Sequence, residues 1–373
     1  MIIGLLKEPP HETRVSLLPE HVVALKKMNV QVVIEKDAGE KSFANDDRYI
    51  QAGAEISTRS DVFQKAEILL CIHPLAAAET NNAKGKVLMG FYQALFQANL
   101  IGQWAANQCT VFSMDMLPRT TRAQSMDVLS SQANIAGYKA VLLAANTSPR
   151  YFPMFMTAAG SIAPAKMLIL GAGVAGLQAI ATSKRLGAVV EVFDTRPAVK
   201  EEVMSLGAKF IEVEGAADAT KAGGYAVEQT EEFLQRQKAK IAESVAKADI
   251  IITTAQIPGK KAPVLITKEM IDSMKSGSVV IDLAAATGGN TELTRNDETV
   301  LFKGIAVIGN SNLPATMPSD ASKLYGKNIL NFLQLIITKE GALQLNFEDD
   351  LVKGTCVAHG GEITNERVKG LIS

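Results

Sequence analysis

The stretch KMLILGAGVAGLQAIATSKRLGAVVEVFDTR, from Lys166 to Arg196, decides the fold class of this chain. Its apolar run Met167–Leu170 predicts a buried strand, and the pattern over Ala175–Leu186 predicts a helix. The β-branched run Val189–Phe193 predicts a second strand. The order strand, glycine turn, helix, strand is typical of a dinucleotide-binding βαβ unit.

The glycines of the turn have separate tasks in such a unit. Gly171, Gly173 and Gly176 form G-x-G-x-x-G, which alone is weak evidence but gains weight from the flanking strand and helix. Gly171 permits the tight turn, Gly173 lets the backbone approach a pyrophosphate, and Gly176 lets helix and strand pack closely. The helix N-terminus offers N–H groups and a positive dipole end to the phosphates.

The residue at the tip of the second strand indicates which dinucleotide is bound. Asp194 predicts a carboxylate that accepts hydrogen bonds from the adenosine ribose hydroxyls, and it would repel a 2′-phosphate. NAD(H) is therefore favoured over NADP(H). Arg196 argues mildly for the other cofactor, because an arginine can hold a 2′-phosphate, but Asp194 has the more direct position.

Alternation of β-branched runs and helical patterns continues on both sides of this stretch and predicts an α/β protein. We expect two Rossmann-like parallel-sheet domains joined by a long helix, with a cleft between them. The first domain covers residues 1–127 plus 322–373, and the tail contributes a helix (Ser322–Thr338) and a short hairpin in DLVKGTCVAHGGEIT. The connecting helix covers 128–146, and the NAD(H)-binding Rossmann domain covers 154–310.

Composition excludes several function classes. The chain has 373 residues and a formal net charge of −1, so no global basic field exists to bind nucleic acid. Its three cysteines form no CxxC, and its four histidines have no metal-ligand spacing, so we expect no metal. The N-terminus is not a signal peptide, and no apolar window reaches about 18 residues, so we expect no direct membrane span.

Three polar residues outside the glycine turn have open interpretations. Arg14 is equally compatible with a solvated surface and with a site. His73 follows a strand, but beside Pro74 and without evident partners it fits an ordinary loop histidine better. Asp282 ends a predicted strand, where it either faces the ligand crevice or caps the turn that follows.

The segment PRTTRAQSMDVLSSQANIAGYKAV, Pro118–Val141, is dense in polar groups and contains no histidine. Asp127 fits a helix N-cap, and its arginines fit a solvated loop. The density of polar side chains before the connecting helix favours a functional loop instead. The polar residues are Arg119, Arg122, Gln124, Asp127 and Ser130.

Several motifs carry a family resemblance over essentially the whole chain. They are RAQSMDVLSSQANIAGYKAV, MTAAGSIAPAKMLILGAGVAGLQAIATSKRLGA, AGGYA, TTAQIPGKKAPVLIT, GSVVIDLA and GTCV. Together they resemble the NAD(H)-binding component of proton-translocating NAD(P) transhydrogenases. The wider family includes alanine dehydrogenases, which share the two-lobed fold.

Three positions separate these two activities. Alanine dehydrogenases use an arginine in the N-terminal motif, a lysine after one strand and a histidine after the next. Arg14 matches the first, but the other two positions hold Ile72 and Gln93. Proton transfer at an amino acid then has no obvious agent, so an alanine dehydrogenase-like enzyme is the alternative. A non-catalytic NAD(H)-sensing module is the third.

The resemblance implies direct hydride transfer from NADH on this chain to NADP⁺ on a partner subunit, which needs positioning and no general acid or base. It assigns Arg119, Asp127 and Ser130 to the nicotinamide region, and Gln124 to the second nucleotide. Arg119, Gln124 and Asp127 are the predicted catalytic residues. Further cofactor-binding candidates are Val174 and Ala175 at the pyrophosphate turn, Tyr225 on a loop that closes over NAD(H), and Gly224, Gln237 and Gln256.

The resemblance also implies partners. The chain is expected to form a homodimer and to assemble with membrane-domain and NADP(H)-binding transhydrogenase subunits. It would be cytoplasmic and peripheral to the inner membrane, and proton translocation would belong to its partners.

Overall fold

The computed structural model describes residues 1–213 and 230–372, with the side chain of Phe233 excepted. The strands are β1 Ile2–Leu5, β2 Gln31–Glu35, β3 Glu55–Ser57, β4 Ile68–Leu70, β5 Val87–Gly90, β6 Thr110–Ser113, β7 Phe155–Thr157, β8 Gly160–Ile162, β9 Lys166–Leu170, β10 Val189–Phe193, β11 Lys209–Phe210, β12 Ile250–Thr253, β13 Val279–Asp282, β14 Glu298–Phe302, β15 Ile305–Gly309, β16 Cys356–His359 and β17 Glu362–Ile363. The α-helices are α1 Pro19–Lys26, α2 Asp46–Ala52, α3 Arg59–Lys65, α4 Ala98–Ala106, α5 Val128–Thr147, α6 Val174–Arg185, α7 Lys200–Ser205, α8 Glu231–Val245, α9 Lys268–Asp272, α10 Pro318–Ile336, α11 Asp350–Thr355 and α12 Glu366–Lys369.

The chain divides into two compact units. Unit 1 comprises Met1–Gln132 with Ala315–Ser373, and unit 2 comprises Ala133–Pro314. Each unit has its own sheet and its own hydrophobic core on that sheet. The long helix α5 begins in unit 1 and continues into unit 2. The expected α/β class with two parallel-sheet domains is confirmed.

Unit 1 has strand order β17-β16-β6-β5-β4-β1-β2-β3. Strands β1 to β6 run parallel, and the C-terminal segment adds β16 antiparallel to β6. The hairpin expected over DLVKGTCVAHGGEIT is wrong in its first half, because Asp350–Thr355 is the helix α11 and only β16 and β17 form the hairpin. The cause is Asp349, whose carboxylate caps α11 by accepting the Leu351 N–H at 2.9 Å.

Unit 2 has strand order β11-β10-β9-β12-β13-β15-β14, parallel except for β14 at the edge. The chain proceeds from β9 to β10 and β11 in one direction and then to β12, β13 and β15 in the other. The order therefore reverses between β9 and β12. In open parallel sheets the ligand crevice lies at the carboxyl ends of the strands at such a reversal.

No helix in the described ranges is long and apolar enough to cross a membrane. Within the same ranges, no group of three or more His, Cys, Asp or Glu side chains is arranged to hold a metal ion.

Candidate functional site

The glycine turn between β9 and α6 is compact and leaves its outer surface open. Gly171 has φ of +103°, a conformation that strains any other residue. A Cβ on Gly176 would lie 1.9 Å from the Gly171 carbonyl oxygen, whereas a Cβ on Gly173 would meet nothing within 4 Å. Two glycines are therefore required by packing, and the third leaves space beside the backbone that a ligand can approach.

Helix α6 starts directly at this open position. Gly173 precedes it and has no side chain to cap it, and the first helical bond runs from Leu177 N–H to Gly173 O at 2.9 Å. The N–H groups of Val174, Ala175 and Gly176 therefore have no acceptor within the helix. Such uncapped amides, with the positive end of the helix dipole, fit the pyrophosphate of a dinucleotide.

Helix α5 packs against the same turn through a glycine that we did not identify from the sequence. A Cβ on Gly137 would lie 2.1 Å from the carbonyl oxygen of Ala175, the second residue of α6. Gly137 thus allows α5 to contact the backbone of the first turn of α6. The sequence signal was a glycine inside a helical pattern, which usually has a packing reason.

Asp194 stands at the tip of β10 and holds the glycine turn. Its Oδ2 accepts the Ala172 N–H at 2.7 Å, and Arg196 donates from Nε to Oδ1 at 2.9 Å and from Nη2 to Oδ2 at 2.8 Å. Hydrogen bonding to Asp194 raises the pKa of Arg196 above its ordinary value. A ribose hydroxyl at Asp194 would therefore share the carboxylate with Arg196. A depression beside the pair is lined by Phe193, Asp194, Thr195, Pro197, Lys200, Phe210, Glu212 and Val213.

The other side of the strand reversal is built by Asn290. Its side chain accepts the Ala255 N–H at 3.0 Å and donates to the carbonyls of Ala255 and Pro263, both at 2.8 Å. Gln256 follows and donates from Nε2 to the Leu283 carbonyl at 3.1 Å. Sequence reasoning missed Asn290, although it directly follows the pair of glycines in TGGN.

Asp282 has a structural role, which resolves the two interpretations of this residue. Its side chain is fully buried and accepts the N–H groups of Ala284 at 2.9 Å and Asn290 at 2.6 Å. The Thr294 hydroxyl donates to it at 2.6 Å. Asp282 caps the turn after β13 and holds the backbone that precedes Asn290.

In unit 1 the polar segment before α5 forms a 3₁₀-helix over Thr121–Met126. Ala123 and Met126 share one face at the three-residue spacing of this helix and are buried in the core. Arg119, Arg122 and Gln124 are exposed. The core therefore holds the backbone of this loop, while its polar side chains project from the surface.

Asp127 and Ser130 form one bonded pair at the start of α5. The Asp127 carboxylate accepts the Ser130 N–H at 3.0 Å and the Ser130 hydroxyl at 2.6 Å. Asp127 therefore acts as a helix cap in this structure. Its assignment to the nicotinamide stays a prediction, as do those of Arg119, Gln124 and Ser130.

Arg14 and His73 belong to a buried network that sequence reasoning did not foresee. Glu12 binds Arg14 Nε at 2.9 Å and Nη2 at 2.7 Å, and His73 Nε2 lies 2.8 Å from Glu12 Oε2. Arg14 Nη1 donates to Gln132 at 2.9 Å. The expectation that His73 has no partner is wrong, because Glu12 is two residues from Arg14 and reaches both groups.

Two carboxylates of this network differ in protonation. Burial opposes ionisation of Glu12, but hydrogen bonds from Arg14 and His73 outweigh it and hold the pKa of Glu12 well below its usual range. Burial raises the pKa of Glu8 to about 7, against backbone hydrogen bonds from Ile72 and His73. Glu12 is therefore ionised at neutral pH, and Glu8 titrates there.

The remaining candidates are distributed unevenly. Gln237 is buried on α8, and its Oε1 has no hydrogen-bond partner in the described part of the chain. Gly224 and Tyr225 lie outside the described residues, so the loop assigned to them stays a prediction. The Ile72 side chain is buried, and the backbone N–H of Gln93 is bound by Asp115 at 3.1 Å.

Comparison with known proteins gives a consistent family. Residues 4–136 match the model of the alanine dehydrogenase/PNT N-terminal domain, and residues 140–366 match that of the C-terminal domain. The chain is 44% identical over 381 residues to the first of the polypeptides that make up NAD(P) transhydrogenase subunit alpha of Rhodospirillum rubrum, covering 99% of each chain. It is 27% identical to alanine dehydrogenase of Staphylococcus haemolyticus, covering 91% of this chain and 88% of that one. The crystal structure of transhydrogenase from Sinorhizobium meliloti superposes with a TM-score of 0.85 at 42% identity, over 98% of this chain and 99% of that chain.

Proposed function

This chain belongs to the alanine dehydrogenase/PNT family, and we propose that it is the NAD(H)-binding component of a proton-translocating NAD(P) transhydrogenase. The observation that carries the proposal is the 44% identity over 99% of both chains with a transhydrogenase alpha subunit, against 27% with an alanine dehydrogenase. Hydride passes directly between NADH on this chain and NADP⁺ on a partner subunit, with Re/Si specificity.

The proposed dinucleotide site uses the open face of the glycine turn in unit 2. The amides of Val174, Ala175 and Gly176 bind the pyrophosphate, beside the space at Gly173. Asp194 and Arg196 contact the adenosine ribose. Gln237 and Gln256 complete the proposed site from α8 and from the turn after β12, together with Gly224 and Tyr225.

The proposed nicotinamide contacts come from unit 1. Arg119, Asp127 and Ser130 bind the carboxamide and its ribose, and Gln124 orients the second nucleotide. The nicotinamide ring, when bound, supplies or accepts the hydride itself. The chain therefore only has to orient the ring and exclude water, and amide, hydroxyl, carboxylate and guanidinium groups suffice for that task.

The alternative, an alanine dehydrogenase-like enzyme, has weaker support in this site. Arg14 matches the substrate arginine of those enzymes, but Glu12 and Gln132 already bind its guanidinium. A substrate carboxylate would have to compete with the ionised Glu12. The positions of the family's lysine and histidine hold Ile72 and Gln93, which carry no titratable group.

The decisive experiment follows the hydride itself. The purified chain is mixed with the NADP(H)-binding component of a transhydrogenase, NADH deuterated at the transferred position, and NADP⁺. We expect the deuterium in NADPH, and we expect none in NADPH when unlabelled NADH is used in D₂O, because direct transfer does not exchange with solvent. Alanine-dependent NAD⁺ reduction by the chain alone would favour the alternative, and NADH binding without exchange would favour a sensing module.

Gln124→Asn tests the role of the loop within the same assay. Shortening the amide by one methylene keeps its polarity and withdraws it from the second nucleotide, so exchange should slow while NADH affinity is retained. Measuring both quantities separates the roles, because lost NADH affinity with an unchanged exchange rate would contradict this assignment.

The proposal also includes a homodimer and assembly with membrane-domain and NADP(H)-binding subunits, which would hold the chain at the cytoplasmic side of the inner membrane. Light scattering on the purified chain measures the first, where a monomer mass at assay concentration would contradict it. Co-purification with the membrane subunits measures the second.

A further inference from the structure

The loop Thr121–Met126 is bound by two asparagines of the C-terminal segment. Asn328 Nδ2 and Asn331 Nδ2, on α10, both donate to the Ser125 carbonyl oxygen, at 2.8 and 2.9 Å. The two asparagines are three residues apart and therefore lie on one face of the helix. Both acceptor sites of a single carbonyl are thus used to hold the loop.

A second contact holds the other end of the same loop. Arg122 donates from Nη1 to Asp349 Oδ2 at 2.8 Å and from Nη2 to Asp349 Oδ1 at 2.6 Å, and it also contacts Asp350. Asp349 is itself fixed because it caps α11. The Arg122 side chain is 51% exposed, so this pair contributes little to the free energy of unfolding. Its bidentate geometry instead fixes direction.

Gln124 lies between these two contacts. Arg122 is two residues before it, Ser125 directly follows it, and the neighbours Ala123 and Met126 are buried in the core. The backbone is therefore held on both sides of Gln124, whose own side chain is exposed. An exposed amide on a backbone held in this way has a defined direction without being bound by protein groups of its own.

We propose that Asn328, Asn331 and the Arg122–Asp349 pair are positioning residues, which set the orientation of the loop that carries Gln124 and Asp127. This inference rests on the proposed hydride transfer. Reactive geometry is sensitive, because a misplacement of about 1 Å can cost roughly 100-fold in rate. NADH affinity should be much less sensitive, since the glycine turn that binds the pyrophosphate belongs to unit 2 and does not contain these residues.

The test uses Asn331→Ala, Arg122→Gln, Asp349→Asn and the double variant of the last two. Asn331 is only partly buried, and Asp349→Asn retains an oxygen that can cap α11, so these variants are expected to fold. Lys65→Gln is the matched control, because it removes an equally exposed ion pair, with Glu55 on the other side of unit 1. Hydride exchange is measured at saturating nucleotide, together with NADH affinity and amide hydrogen exchange of residues 121–127.

We expect exchange rates to fall by about ten- to a hundredfold, with unchanged NADH affinity and faster amide exchange in the loop, while Lys65→Gln behaves as wild type. The Arg122→Gln and Asp349→Asn effects should not add, because both remove one interaction. Additive effects, or rates that fall only in proportion to the unfolded fraction, would overturn the proposal. If the wild-type chain transfers no hydride, the proposed function fails, and unchanged amide exchange in the variants overturns the positioning role separately.

Discussion

Replacing Gly137 by alanine tests how closely α5 controls the dinucleotide turn. The added Cβ would lie 2.1 Å from the Ala175 carbonyl oxygen and 2.9 Å from its carbon. Both are backbone atoms in the first turn of α6, so no side chain can rotate away. Ordinary contact begins at 3.4 Å, and the gap of 3.4 − 2.1 Å means that the helices must separate by about 1.3 Å.

The sign of the stability change depends on two opposing terms. Alanine in a helix interior is favoured over glycine by about 1 kcal/mol. Forcing a methyl group into a closed contact costs about 1–3 kcal/mol, and the upper end of that range applies when backbone must move. We therefore expect Gly137→Ala to lose about 2 kcal/mol of unfolding free energy. NADH should bind about fivefold more weakly, because about 1 kcal/mol of the interaction with the helix N-terminus is lost when the amides shift.

Gly102→Ala supplies the matched control. Gly102 is inside α4, and a Cβ there would first meet side-chain atoms at 3.8 and 3.9 Å, which is ordinary contact. It should gain up to about 1 kcal/mol from helix propensity and leave NADH binding unchanged. Urea unfolding and NADH fluorescence titration of both variants measure these quantities. If Gly137→Ala stabilises the chain as Gly102→Ala does, or binds NADH as wild type does, the reasoning about α5 is refuted.

Two further predictions concern charged groups. Asp194→Ser should release Arg196 to bind a 2′-phosphate, so NADPH affinity should rise by about tenfold or more, and an unchanged NADH/NADPH preference in fluorescence titrations would contradict this. Burial raises the pKa of Glu8 from 4.5 to about 7, so the folded state keeps a proton that the unfolded chain loses, and the unfolding free energy should fall by up to about 3 kcal/mol as pH rises through that window. Glu8→Gln should remove this fall, and urea unfolding of both proteins from pH 4.5 to 7.5 checks it, since parallel curves would exclude Glu8 as the cause.

The regions of the fold that could be predicted are those whose signals are local. The strand, helix and strand expected within Lys166–Arg196 occur as β9, α6 and β10, because apolar periodicity and a glycine turn act over a few residues. Strand β14 was not predicted. Its residues are mostly exposed, and only antiparallel pairing with β15 makes Glu298–Phe302 a strand. The hairpin β7–β8 is entirely exposed and was missed for the same reason.

The partners of the predicted site residues depended on long-range geometry. Arg14 could be singled out from its motif, but its contact with Gln132 joins residues 118 positions apart. The bond from Asn328 to Ser125 joins residues 203 positions apart. No periodicity links such residues, so only the folded chain brings them together. The bond between Asp194 and Arg196 was within reach of the sequence, because the two residues are neighbours on the same strand tip.

The bonded pair Asp127 and Ser130 changes how the catalytic roles should be divided. Both oxygens of Asp127 are used by Ser130, so the two side chains form one unit, and removal of either changes the orientation of the other. Gln124 is exposed and is held only through its backbone. A substitution of Gln124 should therefore report on its own contacts, whereas effects of Asp127 and Ser130 substitutions should not add. The helix cap and the proposed nicotinamide contact are compatible, because a carboxylate that accepts two bonds still has lone pairs for a third.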